Sequence, residues 1–267
     1  MGRAAAHQAT SAARFSDPTA LALLSEESRQ RVLSFRAGQL PKDWRGRLRH
    51  EHLKRLAQMM VARTVAIDDA VREAKAPQLV ILGAGLDGRA WRMAELADVL
   101  VYEVDHPDSQ HVKRERAACL QSLARELRFV PVDFTRDRLG DALAAAGHDP
   151  ALPTTWIWEG VVMYLERADI AATLGALRAR SAPGSRLVVT YHSPALALWL
   201  GALLVRRLGE PFRSNFSPAE FRALLAQHGF EVLQDESLPE LGPRIFADPA
   251  QRRGLMKHSR VATAAVA

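Results

Sequence analysis

The chain has 267 residues, of which 48% are apolar and 25% are charged, and this composition excludes a disordered or fibrous protein. A single cysteine, Cys119, permits no internal disulfide and fits a reducing cytoplasm. The longest apolar run, residues 195–205, has 11 residues, well short of the ~20 that cross a bilayer. The composition therefore predicts a cytoplasmic globular protein without a membrane partner.

The net charge of +6 lies in the first part of the chain. Residues 1–60 hold 11 Lys or Arg against 5 Asp or Glu, whereas residues 61–267 hold 25 of each. These arginines follow helical patterns without interleaved aromatic residues, which disfavours a nucleic-acid partner. Two interpretations remain, a solvated helical face and attraction of an acidic small substrate.

In chain order, residues 1–16 are rich in Ala, Ser, Gln and Arg and are predicted to be disordered or frayed. Asp17 and Pro18 then predict a helix, with Asp17 as its N-cap and Pro18 at its first position. Helical patterns continue through residues 28–35 and 49–72. We expect residues 17–75 to form a helical cap packed on a main domain over residues 76–267.

Residues 77–107 are predicted to form a strand, a glycine turn, a helix and a second strand that ends in an acidic residue. An apolar run at residues 79–82 leads into Gly83 and Gly85, and a second run, residues 99–104, ends at Asp105. Glycine suits a turn where the backbone passes close to a ligand, because a side chain there would occupy the ligand's space. A carboxylate at the tip of the second strand can accept both hydroxyls of a ribose. The pattern is typical of a nucleoside-binding βαβ unit.

The spacing of Gly83, Gly85 and Gly88 is also the GxGxxG fingerprint of dinucleotide dehydrogenases. The C-terminal part favours the other interpretation. A capping box at residues 217–220 begins a helix, a strand follows from residue 230, and a β-prone segment occupies residues 260–266. This arrangement resembles the terminal hairpin of class I methyltransferases, whereas a dehydrogenase would need a further domain for its hydride acceptor.

Between these regions strands and helices alternate. Predicted strands at residues 128–132, 155–158 and 186–191 are separated by helical patterns, which indicates a parallel sheet covered on both faces. Ligands of such sheets bind at the carboxyl ends of the strands. Polar residues at those ends are therefore site candidates, namely Asp105, Asp133, Glu159 and His192.

Four segments, in this order, resemble the leucine carboxyl methyltransferase family: VILGAGLDGR at 80–89, YEVDHP at 102–107, VDF at 132–134 and EGVVMYL at 159–165. That family includes phosphatase leucine carboxyl methyltransferases and bacterial O-methyltransferases of secondary metabolism. The resemblance covers residues 15–267. It implies an α/β, Rossmann-like seven-stranded methyltransferase sheet with helices on both faces, using S-adenosyl-L-methionine.

The resemblance also implies roles for single residues. Asp105 would hold the ribose, Asp133 and Phe134 the adenine, Arg63 the methionyl carboxylate, and Glu159 the cationic methionyl end. Gly83 and Gly85 would line the cofactor. Simpler alternatives stay open, because Arg63 is compatible with a surface helix, Asp133 with a helix cap and Glu159 with an exposed strand end. Arg36 and Lys42 are candidates for the family's N-terminal basic residue that closes over the ligand.

The acceptor side is less defined. Residues 193–216, in which an apolar run precedes Arg206 and Arg207, are predicted to form a lid over a small, acidic acceptor. Candidate catalytic residues at strand ends are Tyr164, Tyr191 and His192. Histidine spacing predicts no metal site.

A carboxylate is already nucleophilic at neutral pH and needs no general base, whereas a phenol with a pKa near ~10 does. Nothing in the sequence pairs His192 with an orienting acid. The sequence therefore predicts an O-methyltransferase acting on a carboxylate of a small molecule or peptide. The alternatives are a hydroxyl or phenol O-methyltransferase and a non-catalytic nucleotide-binding scaffold.

Overall fold

A computed structural model of the chain describes residues 1–134, 136–194 and 213–266. Most of the segment predicted to form a lid, residues 195–212 of 193–216, lies outside the described residues.

The described residues contain one seven-stranded sheet in the order β3-β2-β1-β4-β5-β7-β6. Strands β1 to β5 pair in parallel, and β7 runs antiparallel to both β5 and β6. The order reverses between β1 and β4, which places a crevice at the carboxyl ends of these two strands. The strands are β1 (Gln78–Leu82), β2 (Leu100–Asp105), β3 (Glu126–Pro131), β4 (Thr154–Trp158), β5 (Arg186–His192), β6 (Phe230–Ser237) and β7 (Ser259–Val266).

Nine α-helices are described, and they cover both faces of the sheet. They are α1 (Gly2–Ala6), α2 (Glu26–Arg36), α3 (Trp44–Ala74), α4 (Arg89–Arg92), α5 (Pro107–Ala117), α6 (Leu139–Ala145), α7 (Arg167–Ala179), α8 (Pro218–Gln227) and α9 (Leu238–Ile245). The predicted Rossmann-like methyltransferase sheet with helices on both faces is thereby confirmed. No described helix is long and apolar enough to cross a membrane.

Two buried apolar clusters explain this layering. On one face, Val65 of α3 packs in the same cluster as Leu79 and Ile81 of β1. On the other face, Trp156 and Trp158 of β4 are fully buried in a second cluster with residues of α6, α7 and α8. Successive strand side chains point to opposite faces, so β1, β2, β4 and β5 contribute residues to both clusters.

The prediction that residues 1–16 are disordered or frayed is wrong. Helix α1 is buried against α3, and its small residues allow the two backbones to approach closely. A Cβ added at Gly2 would lie 2.5 Å from Cγ of Met60. Arg36 of α2 donates from Nε to the Ala4 carbonyl oxygen at 2.8 Å and fixes α1 from the other side. The alanines of α1, which the sequence pattern assigned to a disordered segment, therefore form a surface that packs against α3.

The predicted helix at Asp17 and Pro18 is also absent, and residues 18–23 form turns instead. The Asp17 carboxylate accepts from the Ala20 backbone N–H at 3.0 Å and from the Thr19 hydroxyl at 2.8 Å. Its other oxygen lies 3.1 Å from Nε of Arg3. A long-range charged contact, invisible in the local pattern, holds this segment in a turn.

Candidate cofactor site

The glycine turn after β1 has the backbone that its sequence requires. Gly83 and Gly85 have φ of +63° and +46°, in the left-handed region that favours glycine. A Cβ added at Gly83 would lie 2.5 Å from Cγ2 of Val161, whereas at Gly85 the nearest atom would be 3.9 Å away. Gly83 is therefore required by packing against the segment after β4, and Gly85 is the position that leaves space for a ligand.

A cavity of about 260 Å³ opens beside this turn. Its lining comes from α1, the middle of α3, the glycine turn and the end of β4, including Arg3, Met60, Arg63, Gly85, Glu159 and Gly160. Residues 1–4, for which no role in the site was predicted from the sequence, therefore form part of the cavity wall.

Asp105, at the end of β2, faces the turn from the next strand. Its Oδ2 accepts from the Gly85 backbone N–H at 2.5 Å, and its Oδ1 accepts from the His106 N–H at 2.7 Å. A carboxylate offers about four lone-pair sites, so two backbone contacts leave acceptor capacity. The structure thus fixes the Asp105 carboxylate against the glycine turn.

Arg63 and Glu159 are brought together from α3 and the end of β4. Nε of Arg63 donates to Oε1 of Glu159 at 2.7 Å, and the Glu159 side chain is buried. Burial opposes ionisation of Glu159, but the charges of Arg63, Arg89 and Arg3 outweigh it and hold its pKa well below the ordinary value. The simpler alternatives, a surface arginine and an exposed strand end, do not describe these residues.

Arg89, in the turn of α4 that follows the glycine loop, is fully buried at 0% exposure. It donates to Glu159 at 2.9 Å and to Asp68 of α3 at 2.8 Å, and it also contacts Asp87. One guanidinium thereby joins three carboxylates from three parts of the chain. It presents Glu159 to the cavity in a fixed orientation.

The same cluster extends to the N-terminal segment. Arg92 donates to Asp68 at 2.6 Å, and its Nε lies 3.8 Å from Asp17, which also pairs with Arg3. Arg3 donates to the Leu86 carbonyl oxygen at 2.6 Å. We call these eight charged residues the buried ion cluster, in which four arginines balance four acids: Arg3, Arg63, Arg89, Arg92, Asp17, Asp68, Asp87 and Glu159.

Gly88 joins this cluster to the glycine loop. A Cβ added at Gly88 would overlap the Thr19 hydroxyl and lie 3.3 Å from Oδ1 of Asp17. The third glycine of the GxGxxG spacing is therefore required by the docked N-terminal segment.

At β3 the candidate residues are more open. Asp133 follows the end of the strand; its backbone N–H donates to Asp137 at 2.8 Å, and its carboxylate lies 3.7 Å from Arg136. Phe134 is 42% exposed. Val132 donates to the Asp105 carbonyl oxygen at 2.9 Å, so these residues stand next to the tip of β2.

The three predicted catalytic residues do not converge. Tyr191 is fully buried, stacks on Phe221 with ring centroids 4.1 Å apart, and donates to Asp235 at 2.7 Å. Burial and this bond raise its pKa far above the ordinary value. The prediction that Tyr191 faces the cleft is therefore wrong, because adjacent residues of β5 point to opposite faces and only one of Tyr191 and His192 can do so.

His192 is partly buried at the end of β5, on the face that carries Arg63. Burial, together with the charges of Arg63 and His258, lowers its pKa to about 4. Tyr164 lies in a short 3-10 helix after β4 (Val162–Tyr164) and is 39% exposed. In the described ranges no cluster of His, Cys, Asp or Glu could hold a metal ion.

Sequence reasoning missed Arg3, Asp68 and Arg89, although each contributes to the site wall or supports Glu159. Arg36 and Lys42, the candidates for the closing basic residue, do not line the cavity. Arg36 is bonded to α1, and Lys42 is exposed before α3 begins. Arg3 is the basic residue of the N-terminal segment that the structure places there.

In the described sheet, the strand order and the antiparallel strand β7 are those of the seven-stranded methyltransferase fold. A family model described as leucine carboxyl methyltransferase matches residues 1–178. The chain belongs to this family.

Relatives and solved structures agree with this assignment. A provisionally named S-adenosyl-L-methionine-dependent methyltransferase of Mycobacterium sp. (strain JLS) is 38% identical over 161 residues, which cover 60% of this chain and 53% of that protein. A similarly named protein of Streptomyces avermitilis is 36% identical over 177 residues, covering 65% and 62%. The chain thus spans little more than half the length of these relatives.

The fold also matches solved structures at low sequence identity. A DUF574 family protein from Streptomyces avermitilis has a TM-score of 0.62 at 13% identity, covering 95% of this chain and 99% of that one. Human N-acetylserotonin methyltransferase, solved with S-adenosyl-L-methionine, has a TM-score of 0.51 at 14% identity, covering 94% and 72%. At such identities the likeness concerns the fold alone.

Proposed function

We propose that the protein is an S-adenosyl-L-methionine-dependent O-methyltransferase that methylates a carboxylate of a small acidic acceptor. Two groups of opposite charge, the half-buried Arg63 and the buried Glu159 side chain, line the cavity and carry the cofactor part of this proposal. The methionyl end of the cofactor is a zwitterion, and its carboxylate and ammonium match these two charges.

The cofactor end would be held by charge. Arg63 would bind the methionyl carboxylate with Arg3 beside it, and Glu159 would accept from the ammonium while Arg89 keeps it in place. Hydrogen bonds to charged groups contribute ~1.5–3 kcal/mol each. The low pKa of Glu159 supports this role, since the group stays ionised at any physiological pH.

The nucleoside end would be held by shape and by one acid. Asp105 would accept from the ribose hydroxyls with its remaining lone pairs, and Gly85 would let the backbone approach. Asp133 would accept from the adenine amine, and Phe134 would cover the ring face. These roles are supported by adjacent positions at the ends of β2 and β3.

Bound S-adenosyl-L-methionine supplies a sulfonium methyl group that an acceptor oxygen takes up by in-line displacement. The chain's own contribution is to hold the acceptor in line and to exclude water, and orientation of this kind can contribute ~7–11 kcal/mol. Tyr164, in the 3-10 helix that follows β4, and His192, at the end of β5, are the described candidates for contact with the acceptor.

The pKa of His192 favours a carboxylate over a phenol. A general base works best when its pKa lies near the operating pH, and at about 4 His192 is a weak base for a phenol near ~10. A carboxylate acceptor is ionised without any base. His192 would then contribute packing and hydrogen bonding only.

The product and one variant test this assignment. Methyl transfer from labelled cofactor to carboxylic acids should give a product that mild alkali hydrolyses, as an ester is and an aryl ether is not. His192→Gln should keep activity within about tenfold, below the usual loss of a general base, with the exposed His111→Gln as control. An alkali-stable product, together with inactive His192→Gln, would transfer the assignment to hydroxyl methylation.

A further inference from the structure

The N-terminal half of α3, with the turn before it, exposes large apolar side chains. Leu40, Trp44 and Leu48 are 71%, 66% and 61% exposed. Trp44 and Leu48 lie one helical turn apart and share a face of α3. We call residues 37–49 the basic tip; within it only Pro41 and Gly46 are not exposed.

Local contacts define the conformation of the basic tip. Asp43 caps α3 by accepting from the Gly46 N–H at 2.8 Å, and Arg47 donates to the Pro41 carbonyl oxygen at 3.2 Å. The Pro41 ring occupies the place of a Cβ at Gly46. Three local contacts therefore hold Leu40 and Trp44 in solvent, although a loose turn could have folded them inward.

The charge around the basic tip is strongly positive. Residues 29–55 hold nine Lys or Arg against two Asp or Glu. One of those acids, Asp43, is engaged as the helix cap. The Arg45 guanidinium lies over the Trp44 ring, 5.2 Å from its centroid. Exposed Trp44 and Leu48 stand among Arg45, Arg47 and Arg49, so one surface combines an apolar face with an attraction for anions; the sequence-based interpretation of this segment overlooked Trp44.

The basic tip stands on the same side of the sheet as the cavity. Helix α3 ends at Ala74, just before β1 begins, while Arg63 meets Glu159 at the carboxyl end of β4. The 19 residues from Arg63 back to Trp44 place the start of α3 about 28 Å along the helix from Arg63, at ~1.5 Å per residue.

We propose that the basic tip docks the protein onto an anionic membrane surface, with Leu40, Trp44 and Leu48 entering the interface and the surrounding arginines meeting lipid phosphates. Tryptophan suits the boundary between headgroups and acyl chains, and basic residues are attracted by anionic lipids. A nucleic-acid backbone would satisfy the arginines but not the leucines. The sequence-based interpretation of this region as a solvated face leaves its apolar residues unexplained.

Cosedimentation of the full chain with vesicles tests the docking. Binding to phosphatidylglycerol–phosphatidylcholine vesicles should exceed binding to pure phosphatidylcholine and fall as salt screens the charges. The triple variant Leu40→Ser, Trp44→Ser, Leu48→Ser should bind anionic vesicles at least ~10-fold more weakly, since it removes the apolar groups that enter the interface. The control Leu152→Ser, Leu233→Ser alters exposed leucines elsewhere and should bind as the unaltered protein does.

The charge component has its own matched pair. Arg45→Gln with Arg49→Gln should reduce the preference for anionic vesicles several-fold, whereas Arg222→Gln with Arg253→Gln, exposed arginines on other surfaces, should not. Brominated lipids should quench Trp44 fluorescence, and Trp44→Phe should remove that quenching. Cofactor affinity should be the same in all these variants, which separates the docking from the function proposed for the cleft.

Absence of binding to anionic vesicles, or equal binding by the triple variant, would overturn the proposal. If the unaltered chain ignored vesicles but bound heparin through the basic tip, the partner would be a soluble polyanion instead. An equal loss of vesicle binding in the control Leu152→Ser, Leu233→Ser would indicate non-specific adhesion and would also refute a defined docking surface.

Discussion

The two ends of the candidate cofactor site are built differently. At the proposed methionyl end, Arg63 and Glu159 belong to the buried ion cluster and are fixed by charges from four parts of the chain. At the proposed nucleoside end, Asp105 is held by backbone N–H groups and Phe134 is 42% exposed. The first end is part of what stabilises the fold, whereas the second can change without disturbing it. Substitutions should therefore separate into those that affect stability and those that affect binding alone.

The largest effect is expected from Arg89→Met. Removing the Arg89 guanidinium leaves the carboxylates of Asp68, Asp87 and Glu159 buried with fewer positive charges nearby. Breaking a buried ion pair by deleting one partner costs ~3–5 kcal/mol. Urea denaturation measures the loss. Arg136→Met is the control: its side chain is 85% exposed, so its free energy of unfolding should change by less than ~1 kcal/mol. A small loss in Arg89→Met would show that the cluster does not stabilise the fold.

Glu159→Gln should weaken cofactor binding and reduce stability in a pH-dependent way. The pKa of Glu159 lies well below its unfolded value of 4.5, so its ionised form contributes stability in full above about pH 4.5. That contribution is lost as the pH falls toward the folded pKa. The difference in unfolding free energy between the two proteins should be constant from pH 8 to 5 and decline below that. A difference that instead grew toward low pH would contradict the assigned direction.

Asp105→Ala should weaken S-adenosyl-L-methionine about tenfold or more, because a lost hydrogen bond to a charged group costs ~1.5–3 kcal/mol. The melting temperature should change little, since Asp105 lies outside the buried ion cluster. Asp108→Ala provides the comparison, as its side chain is 93% exposed three residues further on. Unfolding of Asp105→Ala would remove the distinction between the two ends.

Phe134→Ala should have the smallest effect. An aromatic contact contributes ~0.5–1.5 kcal/mol, so the dissociation constant for the cofactor should rise roughly 2- to 13-fold, with no loss of stability. Leu123→Ala, another exposed apolar residue, should leave it unchanged. A hundredfold loss of cofactor affinity in Phe134→Ala would show that the proposed nucleoside end is as tightly constrained as the proposed methionyl end.

The sheet and the strand-end candidates could be predicted because they follow local rules. Apolar runs of strand length, glycine at the turn and acids at strand tips are all contained in neighbouring residues, and the structure has β1, β2 and β4 where those runs lie. The alternation of strands and helices also determines which strand ends meet at the crevice.

The buried ion cluster could not be predicted in the same way. Asp68 and Arg89 read as polar positions of helices, since nothing local distinguishes a charge that faces solvent from one that meets a partner 21 residues away. Arg3 and Asp17 were missed because an alanine-rich start resembles a frayed tail until α3 is placed against it. The pairing of Tyr191 with His192, by contrast, could have been rejected from sequence, because adjacent residues of one strand point to opposite faces and only one of the two can face the cleft.

Titration calorimetry with S-adenosyl-L-methionine and with NADH tests the central claim most directly. The GxGxxG spacing is compatible with both cofactors, whereas the charges of Arg63 and Glu159 are proposed to bind the methionyl end of S-adenosyl-L-methionine. We expect measurable binding of S-adenosyl-L-methionine that Asp105→Ala weakens at least tenfold, and no measurable binding of NADH. Tight NADH binding, with none of S-adenosyl-L-methionine, would contradict the account.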